Sequence, residues 1–167
     1  MRWQLAPLLL VVATPAVAAT FVATSVEDVA RSSDVVVRGR VRSRQARATA
    51  DGRIVTDVDV DVLGAWKGTP ERSVRFVVPG GSLGKVALAV DAAPTFADGE
   101  EVVVFLARKG SGYVVAAWAL GKFRIEGTEA RPGVSGALVL PRQIPSGERQ
   151  VEPMPVAELE RRVRAAR

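Results

Sequence analysis

Two neighbouring stretches decide the fold: Asp34–Ala46, which reads DVVVRGRVRSRQA, and Arg53–Leu63, which reads RIVTDVDVDVL. Apolar and polar residues alternate in both, as in strands with one buried face and one exposed face. The dipeptide Asp51-Gly52 lies between them and favours a tight turn of type I′. The two stretches are therefore predicted to form an antiparallel hairpin.

A two-residue turn would also decide which residues of this hairpin face each other. It places Arg44 opposite Asp59 and Arg42 opposite Asp61, with valines on the other face. One polar face then carries Arg38, Arg40, Arg42 and Arg44 on the first strand, and Asp57, Asp59 and Asp61 on the second. Since a slip by one residue would bury charge, we expect a single register. Burial of the valines should contribute more stability than the ion pairs.

The rest of the chain reads as further short strands with a helix at each end. Strands are predicted at Ser73–Val78, Val86–Val90, Val102–Leu106, Tyr113–Ala119 and Lys122–Ile125. Residues 25–33 are predicted to form a helix capped by Ser25, and residues 156–166 a second helix with early acidic and late basic residues. Residues 126–155, rich in Gly, Pro and charge, are predicted to be an extended, partly ordered connection.

The first nineteen residues have the features of an export signal. Arg2 precedes the apolar run Leu5–Ala13, and Ala16–Ala19 supplies small residues for cleavage after Ala18 or Ala19. The run is far shorter than the ~20 residues of a membrane-spanning helix. We therefore expect a protein that is exported, either to the periplasm or out of the cell. A buried N-terminal strand or an uncleaved anchor is the alternative.

The composition narrows the chemistry that is open to this chain. It has 167 residues, a formal net charge of +5, and neither cysteine nor histidine. Ser-His-Asp and Cys-His nucleophile systems are therefore excluded, and so are Cys/His zinc sites. No disulfide can form, so packing alone must hold the domain together. We expect a protein that is not an enzyme and that needs no cofactor and no metal.

Three features could suggest other chemistry, and each has a simpler interpretation. Ser82–Lys85 matches S-x-x-K, but penicillin-recognising enzymes need that motif on a helix together with further motifs. Asp57, Asp59 and Asp61 could suggest calcium, but on one strand face they would lie ~6.6 Å apart and opposite arginines. Single-stranded nucleic acid needs stacking aromatic side chains. The few aromatic residues here lie mostly in apolar contexts, so we expect no nucleic-acid partner.

Three segments follow one another in an order that resembles a known family. They are Ser33–Val41 (SDVVVRGRV), Val62–Gly68 (VLGAWKG) and Phe96–Leu106 (FADGEEVVVFL). The order is similar to that of the netrin-like domain, the OB-type barrel found in tissue inhibitors of metalloproteinases. The resemblance implies an all-β, OB-like antiparallel barrel over residues 20–127, with a short N-terminal helix, and a tail with a C-terminal helix over residues 128–167. Family members usually carry cysteines, and this chain has none.

A barrel of this kind would meet a partner at its rim. We expect a binding module that contacts a protease or another extracytoplasmic protein through Thr20 and Phe21 and through a glycine-rich loop with Gly80, Gly81, Ser82 and Lys85. The alternative is a structural or accessory protein that binds an anionic polymer or surface through Arg38, Arg40, Arg42 and Arg44. An enzyme that uses carboxylates, or Ser82 with Lys85, is a third hypothesis.

Overall fold

A computed structural model describes residues 25–133 and 152–166. Within them lie two α-helices, α1 (Val26–Ser32) and α2 (Val156–Ala165), and one 3-10 helix (Trp118–Gly121). The strands are β1 (Val35–Ala48), β2 (Ile54–Lys67), β3 (Ser73–Pro79), β4 (Gly81–Leu83), β5 (Val86–Leu88), β6 (Glu101–Lys109), β7 (Gly112–Val115), β8 (Lys122–Glu126), β9 (Glu129–Pro132) and β10 (Met154–Pro155). A mainly β fold with two helices is therefore confirmed. The predicted export signal, with Thr20 and Phe21, lies outside the described residues.

Five strands close into a ring. β1 pairs with β2, β2 with β3, β3 with β7, β7 with β6, and β6 returns to β1. Every pairing is antiparallel except the short contact of β3 with β7, where Val77 lies beside Val114. The sheet then continues from β6 through β8 and β9 to β10, so it extends past residue 127 into the predicted tail.

The run VVVFL in β6 is buried on both faces, as its continuous apolar character predicts. Val102, Val104 and Leu106 point into the ring, among the valines of β1 and β2. Val103 and Phe105 point outward and are covered by α1 and α2. Both helices therefore pack on the outer face of the ring, and neither is long and apolar enough to cross a membrane.

The predicted helix α1 is confirmed together with its cap. The Oγ of Ser25 accepts a hydrogen bond from the Asp28 N–H at 3.1 Å, and it donates to the Asp28 carboxylate at 2.7 Å. Val26, Val29 and Ala30 are buried, as their helical spacing predicts. The capped helix thus presents one apolar side to the ring.

The turn of the β1–β2 hairpin is longer than predicted. Thr49 N–H donates to the Arg53 carbonyl at 2.8 Å, and Gly52 N–H donates to the Thr49 carbonyl at 2.9 Å. The Thr49 hydroxyl also bonds both the N–H and the carbonyl of Arg53. Three residues, 50–52, therefore form the loop, and the prediction of a two-residue turn is wrong.

The longer loop changes the pairing of β1 with β2. Ser43 lies opposite Asp59, and Arg40 lies opposite Asp61, so the predicted cross-strand positions of Arg44 opposite Asp59 and Arg42 opposite Asp61 are both wrong. The side chain of Arg42 nevertheless forms an ion pair with Asp61. The register shifts between Val41 and Ser43, as at a β-bulge, which inserts an extra residue into one strand.

Candidate functional site

One end of the ring gathers several loops. Because β3 and β7 run parallel, the segments that follow them leave at the same end. The segment after β3 forms the β4–β5 hairpin, and the segment after β7 forms the turn at residues 116–121. The tip of the β1–β2 hairpin also lies here, since Gly81 approaches Ala46 and Thr56. We call this end, made of residues 46–56, 80–98 and 116–121, the rim.

Glycine shapes the β4–β5 hairpin at its base and at its tip. At the base, Gly81 has φ +131°, and a Cβ there would lie 2.3 Å from Thr56 Oγ1. Thr56 Oγ1 donates to the Gly80 carbonyl at 2.8 Å, which ties the base to β2. At the tip, Gly84 has φ +60° and is the first residue of the two-residue loop Gly84–Lys85. A type II′ turn needs glycine at this first position.

The hairpin exposes an apolar face. Leu83 lies opposite Val86, and Gly81 lies opposite Leu88. Cross-strand partners and residues two apart share a face, so Leu83, Val86 and Leu88 lie side by side. Their exposed fractions are 40%, 60% and 42%. The other large apolar side chains that are exposed in the described residues, Leu63 and Trp118, lie outside this hairpin.

The loop residues predicted as contacts all lie in or beside this hairpin. Gly80 and Gly81 form its base and have structural reasons to be glycine. Ser82 is exposed and lies opposite Ala87, on the face away from Leu83. Lys85 is exposed at the tip. The S-x-x-K motif therefore spans a hairpin loop and is not on a helix.

The apolar face itself was missed at the sequence level. Residues 79–85 read there as a loop, and Val86–Val90 as a separate strand, whereas β4 begins at Gly81 and pairs directly with β5. The available signal was the glycine at residue 84, which favours a hairpin turn between Leu83 and Val86.

Trp118 is a further large apolar side chain that is exposed at the rim. It is 49% exposed and has φ +56°, and the residue before it, Ala117, has φ +52°. Consecutive left-handed residues other than glycine are strained by about 1–3 kcal/mol each. The turn is held by the Ala119 N–H, which donates to the Ala92 carbonyl at 3.1 Å.

The segment Phe96–Glu100 fastens the rim to the ring. Gly99 N–H donates to the Val41 carbonyl at 2.8 Å, and Val41 N–H donates to the Glu100 carbonyl at 2.9 Å. The Glu100 carboxylate accepts a hydrogen bond from the Ala97 N–H at 2.9 Å and forms ion pairs with Lys122 at 2.7 Å and Arg124 at 2.8 Å. The F-x-x-G-E pattern therefore has a structural role here.

The pair of Glu100 and Lys122 is almost fully buried. Burial raises the pKa of Glu100, but hydrogen bonds from Lys122 and the Ala97 N–H outweigh it and hold that pKa below its usual value. Burial lowers the pKa of Lys122 despite the bond to Glu100. The ammonium also lies 4.5 Å from the centre of the Phe96 ring and donates to the Thr95 carbonyl. Each charge is thus satisfied inside the protein.

The four arginines of the predicted anionic-surface site all have acidic partners. Arg38 bonds Glu101 at 2.7 Å, Arg40 lies 3.6 Å from Glu101, Arg42 pairs with Asp61, and Arg44 bonds Asp98 at 2.8 Å. Arginines also engage the three same-face aspartates, since Asp57 pairs with Arg47, Asp59 with Arg75 and Asp61 with Arg42. Hydrogen bonds from Arg75 lower the pKa of Asp59. This face is therefore a ladder of ion pairs.

Comparison of the sequence with models of protein families finds no match. Comparison with curated proteins finds no match either. The role of the rim therefore has to be inferred from its own geometry.

Proposed function

We propose that this protein is an exported, non-enzymatic binding module that contacts another extracytoplasmic protein, such as a protease, through the rim. The carrying observation is the exposed apolar face of the β4–β5 hairpin. Clustered apolar side chains on the surface of a folded domain mark interaction sites, because a partner gains free energy by covering them. Export is inferred from the leader over residues 1–19.

The hairpin is suited to binding because its shape is set before a partner arrives. Its base is tied to β2 by Thr56, and its tip has the glycine that its turn requires. A rigid contact surface loses little conformational entropy on association. Trp118 lies at the same end of the ring and supplies a large amphipathic ring of the kind enriched in binding energy hot spots.

The non-enzymatic part of the proposal rests on how the polar groups are used. The buried acid and base nearest the rim, Glu100 and Lys122, are bonded to each other and hold the segment Phe96–Glu100 in place. Ser82 is an exposed strand residue beside a turn, and within residues 25–133 and 152–166 its hydroxyl has no hydrogen bond to a base that would activate it.

The proposal includes an OB-type, netrin-like barrel. When the five strands of the ring are numbered by their order in the sequence, their order around the ring is 1-2-3-5-4, and strand 4 pairs with strand 1. The parallel contact joins the third and fifth strands, β3 and β7. This order, with its partly open junction, supports an OB-type Greek-key barrel.

An affinity capture from the native envelope and secreted fractions tests the proposed function. The bait is the full chain, expressed with its own leader and a C-terminal tag. The rim variant carries Leu83→Ser, Val86→Thr and Leu88→Ser together. The matched control is Leu63→Ser, which removes a leucine that is 58% exposed on β2, away from the hairpin.

We expect a stoichiometric protein partner with the wild type and the Leu63→Ser control, and its loss with the rim variant. Retention of that partner by the rim variant would contradict the assignment of the site. Retention of polyanions that disappears at moderate salt, with no protein partner, would favour the arginine-based alternative, since screening weakens contacts between exposed charges.

A further inference from the structure

The outer side of β1 is open over its last residues. β6 pairs with β1 over residues 35–40, and Val41 then bonds Gly99 and Glu100. Beyond that point, no strand in residues 25–133 and 152–166 pairs with this side of β1. Residues 43–48 therefore form, together with β2, a two-stranded ribbon that has one free edge. We call residues 45–48 on this side the open edge.

The hydrogen bonds of the ribbon show which backbone groups the open edge leaves free. The Thr49 N–H donates to the Arg53 carbonyl, as in a hydrogen-bonded pair, and the register is unbroken over residues 43–48. Because such pairs alternate along an antiparallel ladder, position 47 bonds β2, whereas Ala46 and Ala48 direct their N–H and C=O groups outward. None of the turn and loop backbone bonds in the described part of the chain involves these two alanines. Their outward groups are therefore ready to bond another strand.

The apolar face of the β4–β5 hairpin is turned toward this ribbon. Gly81 belongs to that face, since it lies opposite Leu88 and two residues before Leu83. A Cβ on Gly81 would lie 2.3 Å from Thr56 Oγ1 and 3.3 Å from Ala46 Cβ. β4 contacts both strands of the ribbon. A strand added at the open edge would therefore direct every second side chain to the same side of the ribbon as the apolar face.

The charge of β1 indicates what the other side of such a strand should carry. β1 reads VVVRGRVRSRQARA, with five arginines and no acidic residue. The arginines that precede the open edge pair with acids on β2, on β6 or in the segment before β6. Arg47, within the open edge, pairs with Asp57 on β2 and meets no acid from the open side in the described part of the chain. An acidic side chain on an added strand would supply that second partner, as opposite charges do across strands.

We propose that the rim holds its partner by strand addition, with an extended segment of the partner pairing with the open edge of β1. The segment is amphipathic: its apolar side chains lie on the side of the β4–β5 apolar face, and its acidic side chains lie on the side of Arg47. Backbone hydrogen bonds to Ala46 and Ala48 hold the segment, and the alternate side chains select it. The inference rests on the proposed function, since it states how the partner of the rim is bound.

Nuclear magnetic resonance of the isotope-labelled, purified full chain tests the strand addition. The probe is an acetylated and amidated octapeptide in which valine and glutamate alternate. We expect saturable binding, with chemical-shift changes and slower amide hydrogen exchange at Ala46 and Ala48. Two control peptides alternate valine with lysine and serine with glutamate. Each should bind about tenfold more weakly or less, because the first lacks the matching charge and the second lacks the apolar side chains.

The variant Ala48→Pro removes one outward N–H without breaking a bond to β2, and a strand tolerates proline where its N–H faces solvent. It should weaken peptide binding about tenfold. Ala48→Thr keeps the N–H and should restore binding. Ser73→Pro is the matched control on β3: the Val62 N–H donates to the Arg72 carbonyl, so the N–H of the next residue, Ser73, also points away from β2. That variant should bind the peptide as the wild type does.

Absence of binding by the valine–glutamate peptide would overturn the proposal, and so would binding that Ala48→Pro retains. Slow exchange of the Ala46 and Ala48 amides in the free chain would also overturn it, because another part of the chain would then cover the edge. Circular dichroism of each variant shows whether the fold is kept.

Affinity capture with the same variants separates this inference from the proposed function. Ala48→Pro leaves Leu83, Val86 and Leu88 in place. A partner that this variant captures and the rim variant loses would support binding by the apolar face and overturn strand addition. Peptide binding at the open edge without capture of any partner would overturn the proposed function and keep the edge as a site of strand pairing.

Discussion

The ammonium of Lys122 and the carboxylate of Glu100 form an ion pair of 2.7 Å, and the two side chains are only 4% and 6% exposed. The pair joins the first residue of β8 to the segment that precedes β6. Since Glu100 also bonds the Ala97 N–H, one carboxylate holds both a turn of the rim and a strand of the sheet.

Removing one member of this buried ion pair should destabilise the protein. Lys122→Met keeps most of the apolar stem but leaves Glu100 without its buried partner, so we expect a loss of about 3–5 kcal/mol in the free energy of unfolding. Chemical denaturation measures it. Arg124→Gln is the control, since Arg124 bonds the same carboxylate from a side chain that is 54% exposed. A smaller loss for Lys122→Met than for Arg124→Gln would contradict this account.

Acid should weaken the contact between the two helices. The guanidinium of Arg162 on α2 bonds the carboxylate of Glu27 on α1 at 2.6 and 2.7 Å and lowers the pKa of Glu27 below its ordinary value of 4.5. Because the pKa is lower in the folded state, this contribution is fully present above the ordinary value and is lost as the pH falls through the folded pKa.

The change Glu27→Gln should therefore cost up to about 1 kcal/mol near neutral pH, a modest amount because the pair is partly exposed. Thermal unfolding of wild type and variant, measured from neutral pH downward, should give curves that begin to approach each other below the ordinary pKa and meet below the folded pKa. A difference that stays constant across that range would contradict the role of the carboxylate charge.

The base of the hairpin should tolerate a methyl group less well than its tip. Gly81→Ala meets Thr56 Oγ1 and an unfavourable φ, whereas Gly84→Ala meets open space and only an unfavourable φ. We expect Gly84→Ala to lose about 1 kcal/mol and Gly81→Ala to lose more, since a steric clash is added to the strain. Equal losses in denaturation experiments would show that the base relaxes freely.

Relief of strain should stabilise the turn that carries Trp118. Ala117 has φ +52°, a region that glycine occupies without penalty. Ala117→Gly should therefore raise the free energy of unfolding by up to about 1 kcal/mol. Ala107→Gly, on the regular strand β6, serves as the opposite control and should destabilise the protein. A loss of stability in both variants would argue against strain at Ala117.

The predicted elements that were confirmed follow from local patterns. Each of these patterns reflects which side chains are buried: alternate residues in β1 and β2, the whole apolar run in β6, and one side of the capped helix α1. Burial of those side chains determines whether the segment forms a strand or a helix. The turn of the first hairpin was missed because the Thr49 hydroxyl bonds Arg53 and lengthens the loop. The dipeptide Asp51-Gly52 alone does not reveal that competition.

The features of the site that could not be predicted depend on residues far apart in sequence. Lys122 looks like an ordinary exposed strand residue until Glu100 and Phe96 come to lie beside it. Arg44 was assigned to a neighbour across the hairpin and instead reaches Asp98. The hairpin face at Leu83 was hidden by a strand only three residues long, which is too short for alternation to be visible.

The pairing of β9 with β10 brings together two parts of the chain that residues 134–151 separate in sequence. Ala130 lies opposite Met154, so the chain leaves the sheet after Gly133 and re-enters it by the neighbouring position at the same edge. Doubling the length of a connection whose ends are already together costs only about 0.6 kcal/mol. Evolution or an engineer could therefore insert a fluorescent reporter, an epitope or a whole accessory module at this point without redesigning the core that α2 completes.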